Sequence, residues 1–518
     1  MQPASSNNMF QALFQAASRA AFRDLDGASA VFFRIVFGMI MANWAWDYLS
    51  LGIVTRIYVE PKFHFTYYLF DWVTPWPGNG IYVHFVGLCL LAVAITCGFL
   101  YRLSALAFAL GFTYVFLLER TNYQNHYYLI VLISWWLPWL PLNRSVSIDA
   151  WLWPNKRSET IPAWALWVLQ FHVGLPYLFG GIAKFNTDWL LGEPLAQMLL
   201  SKSSLPLLGT VFSMEGIGVA LAWGGMLFDL GIVPLLMWKR SRGIAYFLCI
   251  IFHLMNSVVF NIHIFPWFML AATPIFFEPD WPRRVLGGAA LQLSENPFSK
   301  DLNPDLTPTP AIGFARSGLL LFLAGYVLFH GLFPLRHRLY DGDSSWTERG
   351  HYFSWRMMLR GKSVVLGYAV KDRVTGTVVD GNINRFIGAE QAEKFGRDPE
   401  MILHLAQFLG REYRRSTGHE AAVHALVLAS LNGRKPELLI DPNVDLMTEP
   451  RGFYSRQWIM PQTEPLRQPS WNLPPEQWRQ HVELPELTFL NKPRDDKPRD
   501  DISQPIATRD VQPEIMAE

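Results

Sequence analysis

The chain has 518 residues, a formal charge of +1 and 21 Trp, with 51% hydrophobic, 15% aromatic and 17% charged residues. So little charge beside so much aromatic content is unlike an ordinary soluble protein, and the near-neutral balance gives no reason to expect nucleic-acid binding. The mean hydropathy of +0.15 averages a very apolar first two-thirds with a polar last third, which predicts a membrane domain followed by a water-soluble one.

Residues 9–26 carry apolar side chains at helical spacing, with Arg19 and Arg23 on the other side. This predicts an N-terminal amphipathic segment over 1–27, either lying in the membrane interface or packed on the helices that follow. No cleavable signal peptide is evident, because Met1–Asn8 is polar. Within 28–333, apolar runs near 31–50, 80–100, 103–119, 126–141, 163–183, 215–237, 243–260, 263–277 and 314–333 predict a polytopic bundle of about nine transmembrane helices, two of them short. Trp and Tyr cluster at their ends, as interfacial belts do (Trp44, Trp72, Trp76, Trp139, Trp151). Alternate loops hold Arg102, then Arg144, Lys156 and Arg157, then Lys239, Arg240 and Arg242, then Arg283 and Arg284. The positive-inside rule therefore predicts a cytoplasmic N-terminus, and an extracytoplasmic location for everything after about Phe333 and for the helix ends bearing His126 and Lys184.

After Pro334 the pattern changes. Residues 362–380 alternate around a Thr-Gly turn, 389–415 read as helix, and 423–440 form a hairpin signal through Asn432-Gly433. A small sheet-rich α+β extracytoplasmic domain is predicted over 334–460. Residues 461–518, rich in Pro, Gln and charge and ending in a tandem KPRDD, predict an extended or disordered tail. The cysteines, Cys89, Cys97 and Cys249, all lie in apolar runs, so neither a disulfide framework nor a zinc spacing is available.

Polar residues inside apolar spans mark the candidate chemistry, since each is costly unless satisfied. Lys184 ends the run LFGGIAKFNTDW, one turn after Gly180 and Gly181. Its ammonium could snorkel to headgroups, or a desolvated neutral amine could act as a general base. Asn125-His126 open one span. His172 lies twelve residues before Lys184, and Arg34 lies early in the first span. His253, Asn256 and Ser257 share one helical face, with His263 beyond. Each His alone reads first as a hydrogen-bonded helix contact, and the spacings give no metal site. No nucleophile elbow, P-loop or dinucleotide fingerprint occurs. The residues alone describe a polytopic membrane protein with a polar pocket near its outer face.

Four segments, NYQNHYYLIVLISWWLPW (122–139), LFGGIAKFNTDWLLGEPL (178–195), IFHLMNSVVFNIHIFPWFMLAATPIFFEPDWPRR (251–284) and WTERGHYFSWRMMLR (346–360), together resemble vitamin K-dependent γ-glutamyl carboxylases. The resemblance covers 28–460 and suggests a short, bacterial-type member. It implies an enzyme that binds vitamin K hydroquinone of phylloquinone or menaquinone type, with O2 and CO2 as co-substrates. Such an enzyme converts Glu of a protein or peptide to γ-carboxyglutamate while the hydroquinone becomes its 2,3-epoxide. On that resemblance Lys184 deprotonates the hydroquinone, Asn125 donates to a quinone oxygen and His126 positions quinone or Glu. Gly180, Gly181, His253 and Asn256 contribute to the cofactor site, and Trp346, Arg349, His351 and Arg356 to the Glu site. The family's disulfide to the C-terminal domain is excluded, since no Cys follows Cys249. Two other readings stand beside this one: a quinol epoxidase with a non-peptide acceptor, and a transporter or lipid-binding scaffold on the same fold. The second is disfavoured by the absence of a clear internal repeat.

Overall fold

A computed structural model describes residues 6–206, 208–260, 262–285, 314–453, 456–467 and 470–490. Helix α1 (Ser6–Ala21) lies against the bundle with Met9 and Leu13 exposed. The bundle is α2 (Ala28–Ser50), α3 (Gly80–Cys97), α4 (Tyr101–Leu118), α5 (Asn125–Trp136), α6 (Ala163–Ala183), α7 (Ile217–Met237), α8 (Arg242–Val259), α9 (Phe265–Ala272) and α10 (Phe314–Leu332). Helices thus occur at all nine expected positions. Among the described residues, however, seven are long and apolar enough to cross a membrane. The other two are α5, with 12 residues, and α9, which reaches Phe276 only through a 3₁₀ turn. Twelve residues rise about 18 Å, short of a hydrocarbon core of about 30 Å. Pro138 and Pro274 open the tighter turns that end each helix, because proline cannot donate to the preceding turn.

The chain beyond each short helix nevertheless meets the start of α2. Gly27 N–H donates to Glu159 O at 2.8 Å and Ser29 N–H to Pro279 O at 2.9 Å, while Asp149 N–H reaches Gly98 O, at the end of α3, at 3.0 Å. Arg34 is fully buried at this end, and its guanidinium donates to Leu142 O (2.9 Å), Val146 O (2.6 Å) and Thr96 O (3.2 Å). The two terminal nitrogens of this intramembrane charge are thereby satisfied by carbonyls of the α3 end and of the chain after α5. Gly98 is required here: its φ is +63°, and a Cβ would lie 2.5 Å from the Arg34 guanidinium.

The C-terminal domain is a four-stranded antiparallel sheet in the order β2-β1-β3-β4, from β1 (Lys362–Asp372), β2 (Val378–Asp380), β3 (Ala421–Leu431) and β4 (Glu437–Leu438). Central β3 pairs with β1 from Lys362↔Leu431 to Asp372↔Ala421 and is buried nearly throughout, as its unbroken apolar run requires. Helices α11 (Ala389–Phe395) and α12 (Pro399–Thr417) complete it. The Thr-Gly turn, the helical stretch and the Asn432-Gly433 hairpin fall where the sequence places them. Residues 461–467 and 470–490 run irregularly along the sheet. Phe489 stacks on His424 at 4.4 Å, and its carbonyl accepts from Lys371 Nζ at 2.9 Å. The KPRDD repeat lies outside the described residues.

The α2–α3 loop docks the two regions together. Phe63 and Phe65 insert into the C-terminal core, where Phe63 lies 4.7 Å from the His404 ring and Phe65 stacks on Phe395 at 5.3 Å. Burial, and secondarily Arg451, push the His404 imidazole down to about 3, despite Asp71 nearby. The folded state therefore binds fewer protons than the unfolded chain between about pH 6.5 and 3. Stability is full above the unfolded value and falls as pH drops through that window, by up to about 1.4 kcal/mol per pH unit from this residue. Thermal midpoints measured across the window should show a shallower acid slope in His404→Leu, and an unchanged slope would refute the assignment.

Candidate functional site

Helix α6 ends at Ala183 and delivers Lys184 against α7. Lys184 does not snorkel, for it is only 6% exposed. Its Nζ donates to the Asp229 carboxylate and stands 5.1 Å from the centre of the Trp189 ring. Of the two arrangements open to it, a snorkelling ammonium and a desolvated amine, the burial matches the second, and a buried acid partner is added to it. Each of these two buried groups thereby has the partner that its burial demands. Asp229 went unnoticed in the sequence reading. The available signal was that it is the sole ionisable residue of the α7 span.

The two glycines serve this pair. A Cβ at Gly181 would lie 2.8 Å from the Leu230 side chain and 3.1 Å from its backbone nitrogen, so Gly181 lets α7 approach α6. A Cβ at Gly180 would lie 3.3 Å from Asp229 Oδ2. Neither glycine lines the cavity described next.

Lys184 and Asp229 open onto a mostly apolar cavity of about 600 Å³, also lined by Asn125, His126, His253 and Asn256. Sequence positions spread over 132 residues, from Asn125 to Asn256, thus converge. At Asn125 the orientation is fixed by a relay. Phe353 N–H donates to the Tyr123 hydroxyl at 2.7 Å, so that hydroxyl spends its own hydrogen on Asn125 Oδ1 at 3.0 Å. The Asn125 amide NH2 is left for a ligand. His126 stacks on Phe265 at 5.4 Å, and its buried Nε2 has no hydrogen-bond partner. His253 bonds the Tyr177 hydroxyl through Nε2 at 2.7 Å, and its buried Nδ1 is likewise without a partner. Buried polar atoms left unpaired on one apolar cavity are what a ligand with a few oxygens would satisfy.

Other expected residues lie elsewhere. Ser257 turns back to Leu254 O at 2.8 Å and is half-buried, and His263 is exposed. His172 bonds Val168 O (2.7 Å) and the Tyr326 hydroxyl (2.6 Å), which makes it a contact between α6 and α10. The four residues assigned to a Glu site do not line the cavity. Trp346 is buried in the C-terminal core, where its indole donates to Met460 O at 2.8 Å. Arg349 lies over the Tyr340 ring at 4.5 Å. His351 is buried, and desolvation together with Arg360 and Arg356 holds its imidazole well below the usual range. Arg356 donates to Ser345 Oγ at 3.0 Å and borders a separate cavity of about 90 Å³, shared with Ala183 and Asn186 on the far side of the Lys184 turn. From this segment Met357 and Met358 are the residues that reach the large cavity.

The turn that follows Lys184 is held from the C-terminal domain. Asn186 Oδ1 caps the short helix Thr187–Leu190 by accepting from Trp189 N–H at 3.0 Å. Asp188 in that helix takes both guanidinium arms of Arg434, at 2.6 and 2.7 Å, and the Asn432 amide at 2.7 Å. The Trp189 indole donates to Ala222 O at 2.8 Å, fixing the ring beside the amine.

Two family models meet on this architecture. The HTTM domain matches residues 22–281, the bundle that carries Lys184, Asp229, Asn125 and His126. The lumenal domain of vitamin K-dependent gamma-carboxylase matches residues 316–465, from α10 through the sheet. No solved structure matches the chain. With the one model ending where the cavity helices end and the other covering the domain that clamps the Lys184 turn, the chain belongs to the vitamin K-dependent γ-carboxylase family.

Proposed function

We propose that this integral membrane protein carries out vitamin K-dependent γ-carboxylation of protein glutamate, coupled to oxygenation of vitamin K hydroquinone to its 2,3-epoxide. The observation that carries the reading is the single cavity on which Lys184–Asp229, Asn125, His126 and His253 converge. Its volume of about 600 Å³ suits a small-molecule site, and its unpartnered imidazole nitrogens suit a ring bearing two oxygens. When bound, the hydroquinone supplies with O2 the strong base that a Glu γ-carbon requires, and CO2 then adds to that carbon.

The protein's own task is smaller. The Asn125 amide holds a phenolic oxygen, and His126 and His253 bracket the ring. Lys184, with Asp229 able to take its proton, removes the proton from the phenolic hydroxyl. Trp189 and the apolar walls exclude water, which strengthens each of these contacts. Arg356, His351, Arg349 and Trp346 are assigned to the side from which the glutamate chain approaches. On this reading the N-terminus is cytoplasmic, and the cavity and the C-terminal domain lie outside, as the positive-inside rule predicts. The contacts that return the chain to the start of α2 after each short helix support nine crossings, α5 and α9 being completed by irregular chain.

That none of the four Glu-site residues lines the cavity favours a second reading, oxygenation of the quinol without a peptide acceptor. Purified protein supplied with vitamin K hydroquinone, labelled CO2 and a Glu-containing peptide should yield epoxide and fixed label together. Epoxide without label would replace the first reading by the second. Neither product, under conditions where a known carboxylase works, would reject both.

A further inference from the structure

The far end of α5 from the cavity leads into a surface that the proposed reaction does not use. The turn Gly98–Leu100 joins α3 to α4, two helices long and apolar enough to cross a membrane, so it lies at a membrane surface. The chain after α5 is bonded to that turn. The Asp149 carboxylate accepts Leu100 N–H at 2.7 Å and Tyr101 N–H at 3.0 Å, which sets residues 144–157 at the same depth. Leu100 and Val146 take positive φ, +41° and +43°, and are 43% and 57% exposed. Such backbone is strained for bulky and β-branched side chains. Buried Asp149 and Arg34, which donates to Val146 O at 2.6 Å, hold it there. The short helix Ile148–Leu152 then leaves Trp151 77% and Leu152 44% exposed.

Basic side chains stand among these apolar ones. Arg102, Arg144 and Lys156 are exposed, and the Lys156 ammonium lies 5.7 Å from the centre of the Trp153 ring. Among the described residues no carboxylate pairs with these three. Asp149 is spent on backbone N–H groups and the Asn143 amide, and Glu159 turns to Arg283 and Arg157. The other basic loops carry their own acids: Lys239 and Arg242 meet Glu278, Arg283 meets Asp26, and Arg284 meets Asp280. An apolar face with uncompensated positive charge at the membrane surface is therefore particular to this segment.

We infer that residues 144–157 and the α3–α4 turn dock an anionic phospholipid of the bilayer, independently of the quinone reading. Arg102, Arg144 and Lys156 take the headgroup, and Trp151 and Leu152 lie against the acyl chains. A second copy of the chain would set the same positive charges against each other. A zwitterionic lipid leaves those charges uncompensated, and a soluble anion leaves the apolar face bare. By the positive-inside rule the leaflet is the cytoplasmic one.

The test titrates the full-length protein in detergent with phosphatidylglycerol or phosphatidylcholine. Bound lipids are counted by native mass spectrometry, and the thermal midpoint is followed alongside. Wild-type protein should bind phosphatidylglycerol more tightly and gain in midpoint from it. Arg102→Gln, Arg144→Gln and Lys156→Gln combined should cut that affinity by about tenfold or more, each basic side chain near an anionic surface being worth about fivefold. Phosphatidylcholine affinity should stay unchanged in that variant. Trp151→Ala should weaken both lipids, so failure of the triple variant to fold leaves a second measurement. Arg19→Gln, Lys239→Gln and Arg240→Gln combined remove the same charge from elsewhere and should leave phosphatidylglycerol affinity near wild type. Equal losses in the two triple variants would mean diffuse attraction to positive loops and overturn the site. Equal binding of the two lipids by wild-type protein would overturn it as well. Displacement of phosphatidylglycerol by soluble glycerol 3-phosphate would give the patch to a free anion and likewise overturn it.

Discussion

Lys184→Ala is expected to lower epoxide formation by about 10²–10⁴-fold, the range associated with a positioned general base. The same change should cost stability, because it leaves Asp229 buried without a partner. Breaking one side of a buried pair typically costs about 3–5 kcal/mol. Activity loss alone therefore does not separate catalysis from folding, and the decisive variant replaces both partners. Lys184→Met combined with Asp229→Leu removes both charges and keeps the volume, so it should restore the thermal midpoint to near wild type. Epoxide formation should stay lost. Should the double variant recover activity with stability, the pair is structural and the base lies elsewhere. Asp229→Asn gives a third reading. It keeps the shape beside Gly180 but denies Lys184 an acceptor for its proton, so its rate should fall while the cavity stays intact. An added small amine that restores Lys184→Ala would support the base role.

The second large effect is expected at a residue outside the cavity. Asp188 is held by both arms of Arg434 and by Asn432, all from the hairpin turn of the C-terminal sheet. The Trp189 ring, next in sequence, stands beside the Lys184 amine. Asp188→Ala leaves a half-buried guanidinium without its carboxylate and frees the short helix that carries Trp189. A loss of about 3 kcal/mol in stability follows from the broken pair. A displacement of about 1 Å at the amine is enough for a rate loss of about 10²-fold. Arg434→Ala should do nearly the same, and the double variant should be little worse than either single one, since partners in one network do not add. Thermal midpoints and epoxide rates across the four proteins check this. Additive losses would mean that Asp188 and Arg434 act separately and that the C-terminal domain does not position the Lys184 turn.

The particular residues explain how much was legible beforehand. Apolar runs and interfacial aromatics locate every helix of the bundle, because crossing a bilayer constrains composition directly. The hairpin through Asn432-Gly433 was equally readable, both residues taking the positive φ that such a turn demands. The lengths of α5 and α9 were not, for a proline-opened 3₁₀ turn ends each helix inside a run that stays apolar. Lys184, Asn125 and His126 stand out in the sequence as polar residues within apolar spans, and in the structure all three line one cavity.

What the chain's order withheld was partnership. The sequence by itself determined a membrane bundle, a sheet domain after it, and a lysine at the rim of one helix flanked by two glycines. Only the tertiary structure decided that Asp229, 45 residues further on, meets that lysine, that Gly181 lets α7 approach, and that Arg434 holds the following turn from another domain. The physical reason is that periodicity and composition report each segment's own environment. The partner of a buried charge is set by which helix faces meet, and no local pattern encodes that.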